Sequence, residues 1–475
     1  MPDNEVVRDY LGQWWLPGHA AEHVPGRLQL DHDGSLHLQL YGALEDRPAT
    51  TVLSRSLHVA YEHVCGAIAR GYVLLCQVTV ASEESMLFGS LDLNTGNTVQ
   101  KAFVGTGEEW QSEPLFTEFA VRHSTLNAWA AMQPFQKHVE ADNGLYHVQL
   151  EYDRMAPILL GRCGLFDVTL EADVAVPGIG PGISECSVRQ DLVVRFKSTI
   201  AQTLETGLAA AANMYRFLTF ATVTKTRIVS LTATAAGNAP VSLPTEVLFN
   251  GLELGDDTPG HPNDCVFGLA ELGSVPATFL SHWFDTDAST YPVNELLATC
   301  TEWGGDYLWS RSVLGIQALE VYHRRTAAGD TELSADVFLH AKGQALEAIS
   351  DQTARAFFTQ RLNYANESFL RTRLRNLVDR AAPALGTQPQ QHERYVGLAV
   401  DTRNYYTHWD PTSGRGPVIG WDLQRVSDWA ELLLRALLML DMGFAPDRVS
   451  HLLRMSRKTQ WHVFNLFPPG ARNSI

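Results

Sequence analysis

The sequence predicts an α+β protein: an antiparallel, sandwich-like β-rich part with one embedded helix, followed by an all-helical bundle. Three observations predict it. The chain has 475 residues, enough for two or three domains of roughly 100–200 residues each. Its apolar residues recur at period two before about Tyr291 and at period three to four after it. Charge changes at the same place: residues 1–290 hold 16 Lys and Arg against 34 Asp and Glu, residues 291–475 hold 20 against 19. The expected division is therefore 1–290, acidic and β-rich, and 291–475, helical.

The strand candidates come first. Gly26–Leu40 (GRLQLDHDGSLHLQL) alternates Leu with polar residues around Asp33-Gly34, a hairpin signal. Gly71–Val80 and Tyr146–Tyr152 read as strands, and Gly/Pro clusters such as Val176–Ile183 punctuate the region. Leu204–Phe220 is rich in Ala, Leu and Met and reads as a helix; Lys225–Thr234 returns to strand.

Helices are expected over Asn294–Arg325, Ser334–Ser350, Thr353–Tyr364, Ser368–Ala382, His392–His408, Leu423–Met442 and Pro446–Arg457. Pro383, Gly386 and the Pro411–Pro417 segment mark breaks between them. Short links favour an antiparallel bundle.

Composition excludes several classes. With 45 % hydrophobic and 19 % charged residues the chain is neither disordered nor fibrous. MPDNEVVRDY lacks a basic stretch leading into an apolar run, so no secretory leader is expected. No window reaches the ~18 uncharged apolar residues of a membrane span; the best candidates are interrupted by Arg216 and Arg435. The six cysteines form no C-x-x-C pair, which fits a reducing cytoplasm better than a disulfide framework or zinc ribbon. No metal spacing of the H-E-x-x-H kind is present, and GIGPGIS lacks the spacing of a dinucleotide fingerprint. No cofactor is expected.

The most informative string is DTRNYYTHWD, Asp401–Asp410, with an R-N-x-x-x-H pattern in Arg403, Asn404 and His408. Arg27/His32 and Arg457/His462 share the bare spacing but lack the Asn. Five residues turn an ideal helix by about 140°, so Arg403 and His408 cannot share a face of one unbroken helix. They converge only near a helix end or across a subunit interface. Asp410-Pro411 supplies an end, because the residue before proline is pushed out of the α region. An imidazole there can move a proton near neutral pH. A guanidinium can clamp phosphate oxygens as charge develops. On RNA the 2′-OH is itself the nucleophile, so no metal is needed.

These residues resemble the HEPN signature, in the ApeA-like branch. Leu314–His323 (LGIQALEVYH) and Phe369–Val378 (FLRTRLRNLV) are similar to its upstream segments. Gly12–Leu16 (GQWWL), Val24–Leu28 (VPGRL), Leu36–Leu40 and Ser281–Phe284 (SHWF) resemble the ApeA N-terminal domain. The resemblance implies a metal-independent endoribonuclease acting as a homodimer, with two motifs facing each other across one interface. It makes Arg403 and His408 the catalytic pair and Asn404 a positional neighbour. It also implies anti-phage defence by abortive infection, with the N-terminal domain restraining the bundle until a phage protein triggers it. tRNA anticodon loops are substrates by analogy. The other reading is a catalytically silent dimerisation or RNA-binding bundle, with the N-terminal domain as a ligand-binding unit.

The remaining candidates keep two readings each. Glu320 either orients Arg403 or pairs with Arg324 one turn away. Tyr405 and Tyr406 either stack on bases or pack the bundle. Arg361, Arg371 and Arg375, in the basic run Arg355–Arg380, either contact phosphate or form a solvated face; Arg371 and Arg375 share one helix face, Arg373 does not. Trp14, Trp15, Trp110 and Trp129 either line a binding surface or fill the core.

Overall fold

The computed structural model describes residues 6–45, 59–85, 93–142, 145–175, 188–237, 244–256, 260–302, 307–327, 331–409 and 416–468. The Gly/Pro cluster at Val176–Ile183, GIGPGIS and Asp410-Pro411 lie outside the described residues. The α+β class holds. The chain divides into two compact units, Met1–Leu218 with Thr226–Gly260 and Gly273–Thr278, and Thr219–Lys225 with His261–Leu272 and Phe279–Ile475.

In the first unit, β1 (Val6–Trp15), β2 (Val24–Asp31), β3 (Leu36–Leu40), β4 (Ala60–Ile68), β5 (Gly71–Ser85) and β6 (Leu93–Thr106) form a closed antiparallel ring. The order is β6-β3-β2-β1-β4-β5, and β5 pairs back onto β6. The alternation read from the sequence is what fills it. Leu28, Leu30, Leu36, Leu38 and Leu40 are buried in one cluster with Trp14, Val73 and Leu75. The hairpin turns where expected: Ser35 O accepts from Asp31 N–H at 3.0 Å, and Asp33 Oδ1 accepts from Ser35 N–H at 2.9 Å. A β-carbon on Gly66 would stand 2.4 Å from the Trp14 ring, so the indole fits only because residue 66 has none.

From β6 the same sheet continues through β14 (Thr245–Phe249), β13 (Ile228–Ala235), β7 (Phe116–His123), β12 (Arg189–Gln202), β11 (Phe166–Ala175) and β10 (Ile158–Cys163). The sandwich-like expectation thus takes a finer form, one continuous 12-stranded sheet with half of it closed. A separate hairpin joins β8 (Phe135–Asp142) to β9 (Leu145–Tyr152). The short helix α1 (Leu126–Ala130) buries Trp129, and the expected helix appears as α2 (Leu204–Thr222). Trp14, Trp15 and Trp129 are core residues, and Trp110 packs edge-on against Phe103 and Phe116.

The second unit is helical. Its first helix, α3 (Pro276–Thr290), falls in a stretch read as the tail of the strand region. Leu280, Trp283, Phe284 and Asp287 are its buried face, spaced three and four apart as a helix requires. Asn294–Arg325 resolves into α4 (Val293–Glu302) and α5 (Leu308–Thr326). Then come α6 (Ala335–Glu347), α7 (Gln352–Leu362), α8 (Leu370–Leu385), α9 (Glu393–His408), α10 (Gly420–Asp441), α11 (Pro446–Met455) and α12 (Gln460–Leu466).

Pro383 does not break α8. It sits in the last turn, where a missing N–H costs one bond. The helix closes at Gly386 (φ 64°), with Gly386 N–H on Pro383 O and Thr387 N–H on Ala382 O, a Schellman pattern. Helix α10 is buried on most faces, as expected of the central helix of a bundle. Its Arg435 gives Nη1 to Phe220 O at 2.6 Å and Nη2 to Thr301 Oγ1 at 2.5 Å, and burial lowers it to about 10. Among the described residues no helix is long and apolar enough to cross a membrane.

Candidate active site

The R-N-x-x-x-H string occupies the last turns of α9. Two features fix that helix. At its start His392 is fully buried: its Nδ1 accepts from Trp429 Nε1 at 3.0 Å and its Nε2 lies 2.8 Å from Thr387 Oγ1. Burial pushes the imidazole down to about 4, so it is neutral at pH 7. Along its length Val396, Ala399 and Thr402 face the core.

At its end Trp409 adopts a left-handed conformation, φ 50°, with its N–H on Tyr405 O at 2.6 Å. His408 is thus the last helical residue, and it is exposed. Arg403 and His408 lie on one continuous helix, and the helical period sets them about 140° apart. Asn404 is exposed between them.

Arg403 is half-buried. Its Nη2 stands 4.0 Å from Glu320 Oε2 on α5, at the outer limit of an ion pair. Glu320 is bonded to Arg324 one turn away, its Oε1 accepting from Arg324 Nη2 at 3.2 Å. Arg324 Nη1 in turn meets Glu367 Oε2 at 2.8 Å, and Arg373 Nη2 reaches the same oxygen at 3.2 Å. Glu367 is not paired with Arg324 by sequence spacing. It lies 43 positions from Arg324, and only tertiary packing joins them.

The two tyrosines belong to an aromatic cluster. Tyr406 stacks on Trp309 of α5, centroids 5.7 Å apart at 13°, and donates its hydroxyl to Val418 O at 2.9 Å. Trp409 meets both rings edge-on, at 5.3 Å from Trp309 and 5.5 Å from Tyr406. Tyr405 packs edge-on against Tyr406 at 5.1 Å. Tyr406 thus packs within this cluster, and both tyrosines are half-exposed.

The basic run separates into different environments. Arg375 holds Glu393 with two bonds, at 2.9 and 2.8 Å, so its charge is already matched. Arg373 lies on another face of α8, buried, with Nε on Ser368 O at 2.8 Å. Arg371 is half-exposed and approaches Gly397 of α9. Arg361 is on α7, stacked over Phe357 at 5.4 Å, and α7 packs on α6. The other spacing matches are structural: Arg27 pairs with Asp9 at 3.2 Å, and His462 with Asp428 at 3.1 Å. Among the described residues no group of three or more His, Cys, Asp or Glu side chains is placed to hold a metal ion.

Comparison with known families turns on two matches. The ApeA N-terminal domain 1 matches residues 9–283, and the Apea-like HEPN domain matches residues 313–448. The chain belongs to the ApeA-like HEPN family. It is a defence protein of that family with a HEPN domain of the nuclease type. No curated protein and no solved structure matches it. The HEPN match runs from within α5 through α10 and into the start of α11. It therefore contains Glu320, Arg371, Arg403 and His408 and stops before α12.

Proposed function

We propose that this ApeA-like protein is a metal-independent endoribonuclease in which His408 moves the proton and Arg403 stabilises the charged phosphate. The observation that supports it most is the state of α9: an exposed imidazole on the last helical residue and, five residues earlier, a half-buried guanidinium 4.0 Å from Glu320. His408 takes the 2′-OH proton, the 2′-oxygen attacks the adjacent phosphorus, and the P–O5′ bond breaks as the imidazolium so formed gives its proton to the 5′-oxygen. Arg403 faces the negative charge of the five-coordinate phosphate. The products are a 2′,3′-cyclic phosphate and a 5′-hydroxyl.

Because the two side chains point about 140° apart on one helix, the reading includes a homodimer in which two such helices complete the site. Unpaired RNA loops fit best, tRNA anticodon loops among them, since splayed nucleotides reach in-line geometry. The acidic N-terminal part restrains the bundle until a phage protein binds it.

The test is cleavage of total RNA by the full chain, by Arg403→Ala and by His408→Ala, with and without lysate of phage-infected cells. The reading expects cleavage by the full chain, increased by infected lysate and lost in both variants. Equal cleavage by all three proteins contradicts it. A silent bundle, the rival reading, binds RNA equally well in all three and cleaves with none.

A further inference from the structure

An open groove of about 670 Å³ lies between the start of α10 and α12. Trp421 is 81 % exposed and Trp461 is 67 % exposed on its walls, and Gln424, Arg425, His462 and Asn465 line it. Two indoles so far out in water are unusual for a folded protein. The groove is not a flat apolar patch, and charged residues are depleted from the cores of protein interfaces. Its chemistry is that of a flat, polar-edged ligand: two π faces, the side-chain amide of Asn465, and the amide oxygen of Gln424, whose Nε2 donates to Asp428 Oδ1 at 2.8 Å.

Its charge favours a base over a phosphate. Asp422 pairs with Arg394 at 2.8 Å and lies 3.8 Å from Arg425; Asp428 lines the groove beside His462. These carboxylates oppose a dense run of phosphates. The groove is also tied to α9. Tyr406 donates to Val418 O at 2.9 Å, which holds the chain entering α10 beside the turn that carries His408. Trp421 follows three residues later.

We propose that this groove is a nucleobase subsite, in which an unpaired RNA base stacks on Trp421 and Trp461 and presents its edge to Gln424 and Asn465. The proposal rests on the part of that reading in which the protein binds RNA, and it adds a binding element, Trp461, from beyond the residues matched by the HEPN family.

The test uses the full chain in a His408→Ala background and a labelled eight-nucleotide single-stranded oligoribonucleotide, read by fluorescence anisotropy. Light scattering gives the mass of each variant, and circular dichroism checks its fold. Stacking is worth about 1–3 kcal/mol per base by alanine substitution. Trp421→Ala with Trp461→Ala is therefore expected to weaken binding tenfold or more at unchanged mass. Trp421→Phe with Trp461→Phe, which keeps both π faces, is expected to restore it to within about threefold. The salt dependence should not change, because no phosphate contact is lost.

Affinity within twofold of the parent in the alanine pair overturns the proposal. So does a fall in mass, with or without weaker binding, because the surface then serves a second copy of the chain. Absence of RNA binding by the parent overturns it as well. If the tryptophans govern binding while the natural chain cleaves nothing, the nuclease reading fails and the base subsite stands.

Discussion

Arg403 Nη2 faces Glu320 Oε2 at 4.0 Å, on a carboxylate whose other oxygen is bonded to Arg324. The spacing matters. A bidentate Arg–carboxylate bond is short and consumes the donors of the fork. At 4.0 Å Glu320 does not consume those donors, and the proposed role for it is to orient the guanidinium toward a phosphate. Glu320→Gln keeps an acceptor for Arg324 and removes the field on Arg403. It should lower kcat about tenfold, equivalent to about 1.4 kcal/mol, with little change in KM. Steady-state cleavage checks this; an unchanged kcat would make Glu320 a partner of Arg324 alone.

Arg371 and Arg375 share a face of α8 but not an environment. Arg375 is held by two bonds to Glu393, whereas Arg371 is half-exposed against α9. Arg371→Ala should weaken RNA binding and reduce its salt slope by about one. Arg375→Ala should change binding by less than twofold, and anisotropy titrations at three salt concentrations separate the two. A larger effect from Arg375 than from Arg371 contradicts the assignment.

Acid should weaken both units through buried histidines. Burial pushes His392 down to about 4 and His123 to about 3, from an ordinary value of 6.5. Between those values and 6.5 the unfolded chain binds more protons than the folded one, so stability rises with pH there. The contribution is complete above about 6.5 and is lost as pH falls toward 4. For His392 it amounts to about 3 kcal/mol at most. Thermal melting from pH 8 to pH 4 should show a falling Tm below about 6.5, and His392→Gln should flatten part of that fall. A Tm unchanged to pH 5 rules this out.

Gly66→Ala tests the packing of the ring of strands. Its β-carbon would meet the Trp14 ring at 2.4 Å, closer than any real contact. Overpacking of this kind costs about 1–3 kcal/mol. Denaturant unfolding of the variant should show the loss, and double substitution with Trp14→Phe should recover part of it. Parental stability in Gly66→Ala would mean that Trp14 is not seated as described.

Much of this was legible in the sequence, and the limits have physical causes. Period-two leucines announced β2 and β3 because one face of each is buried. Ring closure was not legible, since it depends on β5 pairing with β6, whose LNTGNTVQ half is polar and glycine-containing. There Asn97 is buried and bonds Leu38 O at 3.0 Å, a tertiary satisfaction that no propensity reveals. The helix from Pro276 carried the correct apolar spacing but lay in a region read as strands. Pro383 suggested a stop that the last turn of α8 tolerates. In the site, Arg403, Asn404 and His408 stood out by pattern. The Glu393 partner of Arg375 and the Glu367 partner of Arg324 did not, because helix–helix contacts, not sequence spacing, create them.

The central claim is that His408 and Arg403 cut RNA by 2′-OH attack without a metal. Its most direct measurement is the chemistry of the ends left on RNA by the full chain in EDTA, compared with His408→Ala. The natural chain should leave 2′,3′-cyclic phosphate and 5′-hydroxyl ends, and the variant should not cleave. Ends bearing a 5′-phosphate and a 3′-hydroxyl, or cleavage that survives His408→Ala, would contradict it.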